Sequence, residues 1–131
     1  MFENDYWIAD SVQTFEIEID DRTKEYSVFV NVRNSSTYPY QNIYLNFYVH
    51  DSINNVYMQK LVNNNLFDPR TGKPLGQSGI GDVFDHRFLL LENQKFLHTG
   101  KHTVEIEQYM RVDTLQGILG VGVRVEMEQV D

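Results

Sequence analysis

The sequence predicts an all-β fold, an antiparallel β-sandwich of jelly-roll type with about eight strands and one long irregular loop. Three observations carry this reading. Apolar side chains recur at every second position in successive short segments. Those segments are rich in β-branched and aromatic residues, and clusters of turn-forming residues separate them. No stretch holds a 3.6-residue apolar period long enough for a helix, and only a single helical turn is expected, at 113–116. The chain has 131 residues, the size of one domain, taken as residues 1–131. A chain of this length buries roughly two-thirds of its unfolded surface, so its core needs neither metal nor disulfide.

The elements follow in order. Phe15, Ile17 and Ile19 alternate with acidic residues and form the first strand, closed by the turn Asp20-Asp21-Arg22-Thr23-Lys24. In 26–33, Tyr26, Val28, Val30 and Val32 share one face against Ser27, Phe29, Asn31 and Arg33. Tyr38-Pro39-Tyr40 then makes a turn in which proline fixes the backbone and permits a cis bond. In 43–50, Ile43, Leu45, Phe47 and Val49 oppose Tyr44, Asn46, Tyr48 and His50. The turn at 51–55 leads to a weaker strand at 56–62. Residues 83–91 form another, and Thr99-Gly100-Lys101 precedes a strand carrying Val104 and Ile106. The last strand places Leu119, Val121, Val123, Val125 and Met127 on one face. Gly120 and Gly122 lie on the other, where glycine admits a close neighbour.

Residues 63–82 break the rhythm with Pro69, Gly72, Pro74, Gly76, Gly79 and Gly81. An irregular segment of this length in a compact fold is usually functional or disordered. Leu66, Phe67, Leu75 and Ile80 argue that it packs back on the sandwich.

Charge and composition exclude several functions. The formal net charge is −8, from 19 acidic and 11 basic residues, with no basic cluster to reverse it locally. Such a surface repels phosphate backbones, so no nucleic-acid partner is expected. There is no cysteine, which removes thiolate metal sites and a cysteine nucleophile. The apolar run Phe88-Leu89-Leu90-Leu91 is far short of the ~20 residues of a membrane-spanning helix.

No catalytic residue, metal site or cofactor site is read. Gly72-Lys73 is followed by Pro74 and by no helix, so it lacks the context of a phosphate loop. His98 and His102 flank a turn and are expected at the surface, and two histidines alone make a poor metal site. His50 and His86 are isolated on strands. Asp68, Asp82 and Asp85 lack calcium-loop spacing, and Asp82 after Gly81 suggests a side chain that bonds its own turn. Ser35, Ser36 and Ser78 have no nucleophile-elbow context. Tyr44, Tyr48 and Tyr57 offer outer-face aromatics, which serve as cross-strand packing or as contacts for proteins and sugars. Arg33, Arg111 and Arg124, all placed on strands, are expected to pair with carboxylates such as Glu107 or Glu126 on adjacent strands.

A succession of short motifs resembles the gliding-motility lipoprotein family of Bacteroidetes known as GldH. Trp7 stands near the start, followed by Val32-Arg33-Asn34 and Tyr38-Pro39-Tyr40-Gln41-Asn42-Ile43-Tyr44-Leu45. Asp68-Pro69-Arg70-Thr71-Gly72-Lys73-Pro74-Leu75-Gly76, with Gly79, Gly81 and Asp82, is similar to the family's central glycine-rich segment. Phe96 and Gly100 precede Ile106-Glu107-Gln108-Tyr109-Met110-Arg111, then Leu115-Gln116-Gly117-Ile118 and the final strand. The resemblance implies an extracytoplasmic domain, tethered to the cell envelope by an acylated N-terminal cysteine, that supports gliding motility or the associated secretion machinery. It brings no catalytic residues. Signal peptide and acylated cysteine are not in the 131 residues, and the expectation is a chain starting just after that cysteine with Met1 supplied. Membrane contact is then expected only through the anchor.

The expected function is non-catalytic docking of other envelope or motility proteins. The expected contact residues are Tyr38, Pro39, Tyr40 and Asn42, then Asp68, Gly72, Lys73, Gly76, Gly79, Gly81 and Asp82 of the loop, and Met110 and Arg111. The alternative is a carbohydrate-binding module built from exposed tyrosines with Asp82 or Asp85. A hydrolase needs facing carboxylates or a metal, which sequence does not reveal.

Overall fold

A computed structural model describes residues 2, 4–51, 53, 56–79 and 81–128, with Tyr57 described in its backbone only. Ten strands lie among them: β1 (Tyr6–Ile8), β2 (Gln13–Ile19), β3 (Tyr26–Ser35), β4 (Asn42–His50), β5 (Val56–Asn65), β6 (Gln77–Ser78), β7 (Val83–Gln94), β8 (Gly100–Gln108), β9 (Thr114–Gln116) and β10 (Ile118–Met127). Two four-stranded antiparallel sheets, ordered β10-β3-β7-β6 and β2-β8-β4-β5, enclose the core, and β1 pairs with β9 in a small third sheet. The all-β antiparallel sandwich is the expected one.

The period of two explains the core. Val28, Val30 and Val32 of β3 face Ile43, Leu45, Phe47 and Val49 of β4 across the two sheets, each at most 1% exposed. Burying each such side chain contributes about 1.5–3 kcal/mol. On β10, Val121, Val123 and Val125 pack against this core as expected. An irregularity between Ile118 and Gly120 puts Ile118 in the core in place of Leu119, and Met127 is 51% exposed at the strand end.

Two expectations about these elements need correction. The turn at 113–116 is not helical: β9 lies there, pairing Leu115 with Trp7, and both side chains are fully buried. His102 is not at the surface. It occupies the same face of β8 as Val104 and Ile106, is 1% exposed, and meets the Phe96 ring edge-on at 5.2 Å. The bond before Pro39 is trans.

The irregular stretch is shorter than 63–82. β5 continues through Asn65 against the start of β4, and β6 adds two residues to the edge of β7. Between them Phe67 bridges Pro74. Leu66 is fully buried and Phe67 packs on the core, while Leu75 is exposed. Ile80 lies outside the described residues.

Candidate functional site

The expected contact residues gather at one end of the sandwich, where β3, β5 and β8 finish and β4, β7 and β10 begin. The turn after β3 is built around Tyr38, which points inward at 4% exposure. Its ring stacks on Phe67 at 6.4 Å and meets Tyr40 edge-on at 5.8 Å. Its hydroxyl donates to the Asn42 carbonyl at 2.6 Å, and burial pushes the phenol pKa well up. Pro39 and Tyr40 remain exposed. Asn42 is half-buried and donates through its amide to Asn63 Oδ1 at 2.7 Å, joining β4 to β5.

The segment 66–75 is a tight hairpin leaning on that turn. The Leu66 and Phe67 amides both donate to the Gln41 carbonyl, and the Leu75 amide closes on the Leu66 carbonyl. At the tip, Asp68 Oδ1 accepts from the Arg70 and Thr71 amides at 2.8 and 3.3 Å, so the self-capping carboxylate is that of Asp68. Gly72 has φ +72° and donates to the Asp68 carbonyl, a left-handed position that favours glycine. Lys73 is exposed beside it.

Gly76 serves differently. A Cβ there would lie 2.6 Å from the Asp85 carbonyl oxygen and 2.7 Å from the His86 ring. Gly79, Gly81 and Asp82 shape the turn into β7: the Gly79 amide donates to the Val83 carbonyl, and the Asp82 carbonyl accepts from Ser36.

Met110 and Arg111 follow β8, in a bend and not on a strand. They line a groove of about 450 Å³ with Tyr44, Leu61 and Tyr109. The Tyr109 amide donates to the Tyr44 carbonyl, and the Tyr44 amide meets Met110 Sδ at 3.3 Å. Gln108, buried at 3%, holds the bend: its Oε1 accepts from the Met110 amide and its Nε2 donates to the Val112 carbonyl, each at 2.9 Å. Tyr44, Leu61 and Tyr109 are 39%, 51% and 57% exposed. Three exposed apolar side chains around one concavity are unlike scattered surface apolar residues. Leu61, Gln108 and Tyr109 were not among the expected site residues, and Tyr44 was expected only as an outer-face aromatic. The signal for Leu61 was present, since it is apolar on the outward register of β5, opposite Asn46.

A second groove, of about 460 Å³, crosses the outer face of the β10-β3-β7-β6 sheet, lined by Gly120, Gly122, Asn31, Arg33, Asp85 and Gln77 among others. Arg33 pairs with Asp85 at 2.7 Å. Glu126 accepts from Arg124 at 2.8 Å and Arg87 at 2.5 Å, and these hydrogen bonds hold its carboxyl below the usual range. The Arg87 guanidinium also lies 3.9 Å from the Phe29 ring centre. Arg33 therefore pairs with a carboxylate on the adjacent strand, as expected, although the partner is Asp85, whereas Arg124 takes Glu126 within its own strand and not across to a neighbour. Beneath this face His86 Nε2 lies 2.7 Å from Asn34 Oδ1 in a buried pair, and burial lowers the histidine pKa.

Tyr44, Tyr48 and Asp85 of the carbohydrate alternative are divided between the two sheets. Tyr44 and Tyr48 share the outer face of β4, and Tyr48 is tied down by its hydroxyl bond to Glu107 at 2.9 Å. Asp85 belongs to the other sheet. The Tyr57 side chain lies outside the described residues. Elsewhere on the tyrosine face, His50 contacts the Glu105 carboxylate.

Comparison with known proteins gives consistent matches. Residues 1–125 match the family described as GldH lipoprotein. The chain is 34% identical over 130 residues to the gliding motility lipoprotein GldH homolog of Christiangramia forsetii, covering 92% of this chain and 76% of that protein. It is 32% identical over 129 residues to the gliding motility lipoprotein GldH of Flavobacterium johnsoniae, covering 93% and 78%. Among solved structures, the infectious bursal disease virus VP2 subviral particle has a TM-score of 0.33 at 10% identity, over 89% of this chain and 32% of that one. That likeness is too distant to carry an argument.

Proposed function

The chain belongs to the GldH lipoprotein family of membrane-anchored envelope proteins, and we propose that it serves gliding motility or the associated secretion machinery without catalysis, by docking another envelope protein. The observation that carries this reading is the apolar groove of Tyr44, Leu61, Tyr109 and Met110, with the Arg111 side chain at its margin. Aromatic and arginine side chains around a water-excluding pocket are the usual anchors of a protein interface. The neighbouring turn adds Pro39 and Tyr40, and the 66–75 hairpin adds Lys73, at the same end of the sandwich.

The backbone fixes this surface before any partner arrives. Gln108 clamps the bend, the Tyr109 and Tyr44 backbones bond each other, and Gln41 anchors the hairpin. Preorganisation of that kind lowers the ordering cost of association.

The test is site-specific photocrosslinking in the native envelope. A photoreactive phenylalanine at position 109 is expected to trap a defined protein, and one at Lys101, on the far part of the same sheet, is not. Leu61→Glu should abolish the product while the protein level stays unchanged. Equal products from both positions, or trapping that survives Leu61→Glu, would refute the groove as the docking surface.

A further inference from the structure

We propose that β10 is a pairing edge for a second copy of this chain, so that two four-stranded sheets join through an antiparallel β10–β10 contact. An open edge carries a row of unpaired backbone groups, and folded proteins usually guard it with charge, brevity or cover. The other edges here are guarded. β6 is two residues long, and beyond it the Leu90 carbonyl of β7 accepts from Lys60 Nζ at 3.3 Å. Lys60 stands opposite Phe47 in the β5 register, an inward cation that also guards β5. β2 presents Glu16 and Glu18 outward, so two copies meeting there would set like charges together.

Beyond Leu119, where Phe2 reaches it, β10 has no such guard among the described residues. Among the described residues it pairs with β3 alone. The Leu119 carbonyl points away from β3, where it accepts from the Phe2 amide at 2.9 Å, while the Glu128 amide bonds Glu25 on the β3 side. Backbone groups alternate along a strand, so Val121, Val123, Val125 and Met127 turn theirs outward, toward no described strand. The sandwich is also open here. Val121, Val123 and Val125 are only partly covered, whereas Val28, Val30 and Val32 on β3 are at most 1% exposed.

A second copy fits this edge because β10 is complementary to itself. With two strands antiparallel about Val123, Val121 lies opposite Val125, Glu126 opposite Gly120, and Arg124 opposite Gly122. The two long charged side chains then extend over the two positions without side chains, Glu126 beside the Arg33 of the second copy. Shifting the register by two residues one way sets Arg124 against Arg124, and the other way wastes Gly122 on Gly122. The fold itself does not require Gly122: a Cβ there would meet nothing closer than Asn31 at 3.9 Å, and glycine weakens a strand interior. The tyrosine groove lies on the other sheet, so this contact and the docking surface stand or fall separately.

The absence of cysteine makes thiols a clean probe. Gly122→Cys/Arg124→Cys places two non-hydrogen-bonded pairs across the two-fold, at Cα separations of about 4.5 Å that suit a disulfide. Mild oxidation should give a covalent species of twice the 15.4 kDa of one chain, and Gly120→Cys/Arg124→Cys, in the shifted register, should not. In sedimentation the unmodified chain should reach dimer as concentration rises. Val123→Pro should leave it monomeric with an unchanged β spectrum, because that amide is outside the β3 ladder. Should Val123→Pro fail to fold, Val121→Lys serves the same purpose. A monomer at every concentration, including one whose β10 is taken only by a different protein, overturns the assignment. So does equal cross-linking in both registers.

Discussion

Gly117 is the position where a single methyl group should do most damage. It joins β9 to β10, and its carbonyl accepts from Ser35 while its amide donates to Asp5. Two independent penalties meet there. Its φ is +83°, and a Cβ would stand 2.5 Å from the Tyr38 amide nitrogen and 2.6 Å from the Tyr38 Cα. The left-handed backbone costs an alanine about 1–2 kcal/mol. Forcing a group into packed backbone costs about 1–3 kcal/mol more, since backbone cannot rotate aside as a flexible side chain can. Gly117→Ala should therefore destabilise by about 2–5 kcal/mol, a large share of the ~5–15 kcal/mol that holds an ordinary domain. Two controls separate the penalties. Gly72→Ala has the same sign of φ, +72°, with nothing within 4 Å of the new Cβ, and should cost only the backbone part, about 1–2 kcal/mol. Gly122→Ala meets neither obstacle and should be neutral or stabilising by about 0.5–1 kcal/mol. Urea denaturation of the three variants, compared at constant m, reads the differences. A Gly117→Ala loss no larger than that of Gly72→Ala would refute the steric argument, because the Tyr38 turn would then have moved at no cost.

Three further predictions rest on buried polar contacts. His86 is kept neutral by burial, with its pKa lowered from 6.5. Its contribution is complete above the unfolded value and is lost as pH falls through the folded one, because the unfolded chain takes up the proton first. Stability should drop below about pH 6.5 more steeply in the wild type than in His86→Gln, and identical slopes would count against this. Tyr38→Phe leaves the Asn42 carbonyl without its 2.6 Å donor and should cost about 1–3 kcal/mol by denaturation. Trp7 is fully buried and donates to the Ser11 carbonyl at 2.7 Å. Trp7→Ala should therefore cost about 3–5 kcal/mol, and the wild-type emission should shift to the red only when the fold is lost.

The strands that sequence located are those whose two faces differ chemically. In β3, Val28, Val30 and Val32 go inside while Asn31 and Arg33 stay out, and that contrast is written in the chain. β1 and β9 carry no such record. Each is three residues long, and the reason either is a strand is Trp7 meeting Leu115, a contact between distant parts of the sequence. Asn63 to Asn65 fail for a related reason. Composition marks them as turn-formers, yet the ladder to β4 and the Asn42–Asn63 amide bond hold them extended. His102 alternates in phase with Val104 and Ile106, a sign of an inward position, although its place beside the Gly100-Lys101 turn points to the surface. The Phe96 ring settles the contest, because an imidazole edge-on to an aromatic ring is at home in an apolar interior.

The site was partly legible for the same reason. Tyr44 was placed outward by alternation, but its groove exists only because Gln108 swings Met110 and Tyr109 alongside, a bend that no periodicity encodes. The glycines show where composition stops being informative. Gly72 and Gly81 are needed for a left-handed backbone, at φ +72° and +73°. Gly76 is needed because the Asp85 carbonyl and the His86 ring occupy the space of a side chain. Conformational freedom and an absent Cβ are separate physical uses of one residue type. A glycine-rich run therefore reads as one flexible loop in sequence, although Gly76 is a packing contact under the second groove and Gly72 sets the tip of a hairpin. Mutating the two to alanine should accordingly fail in different ways, Gly72 by local strain that leaves His86 in place and Gly76 by displacing His86 from Asn34.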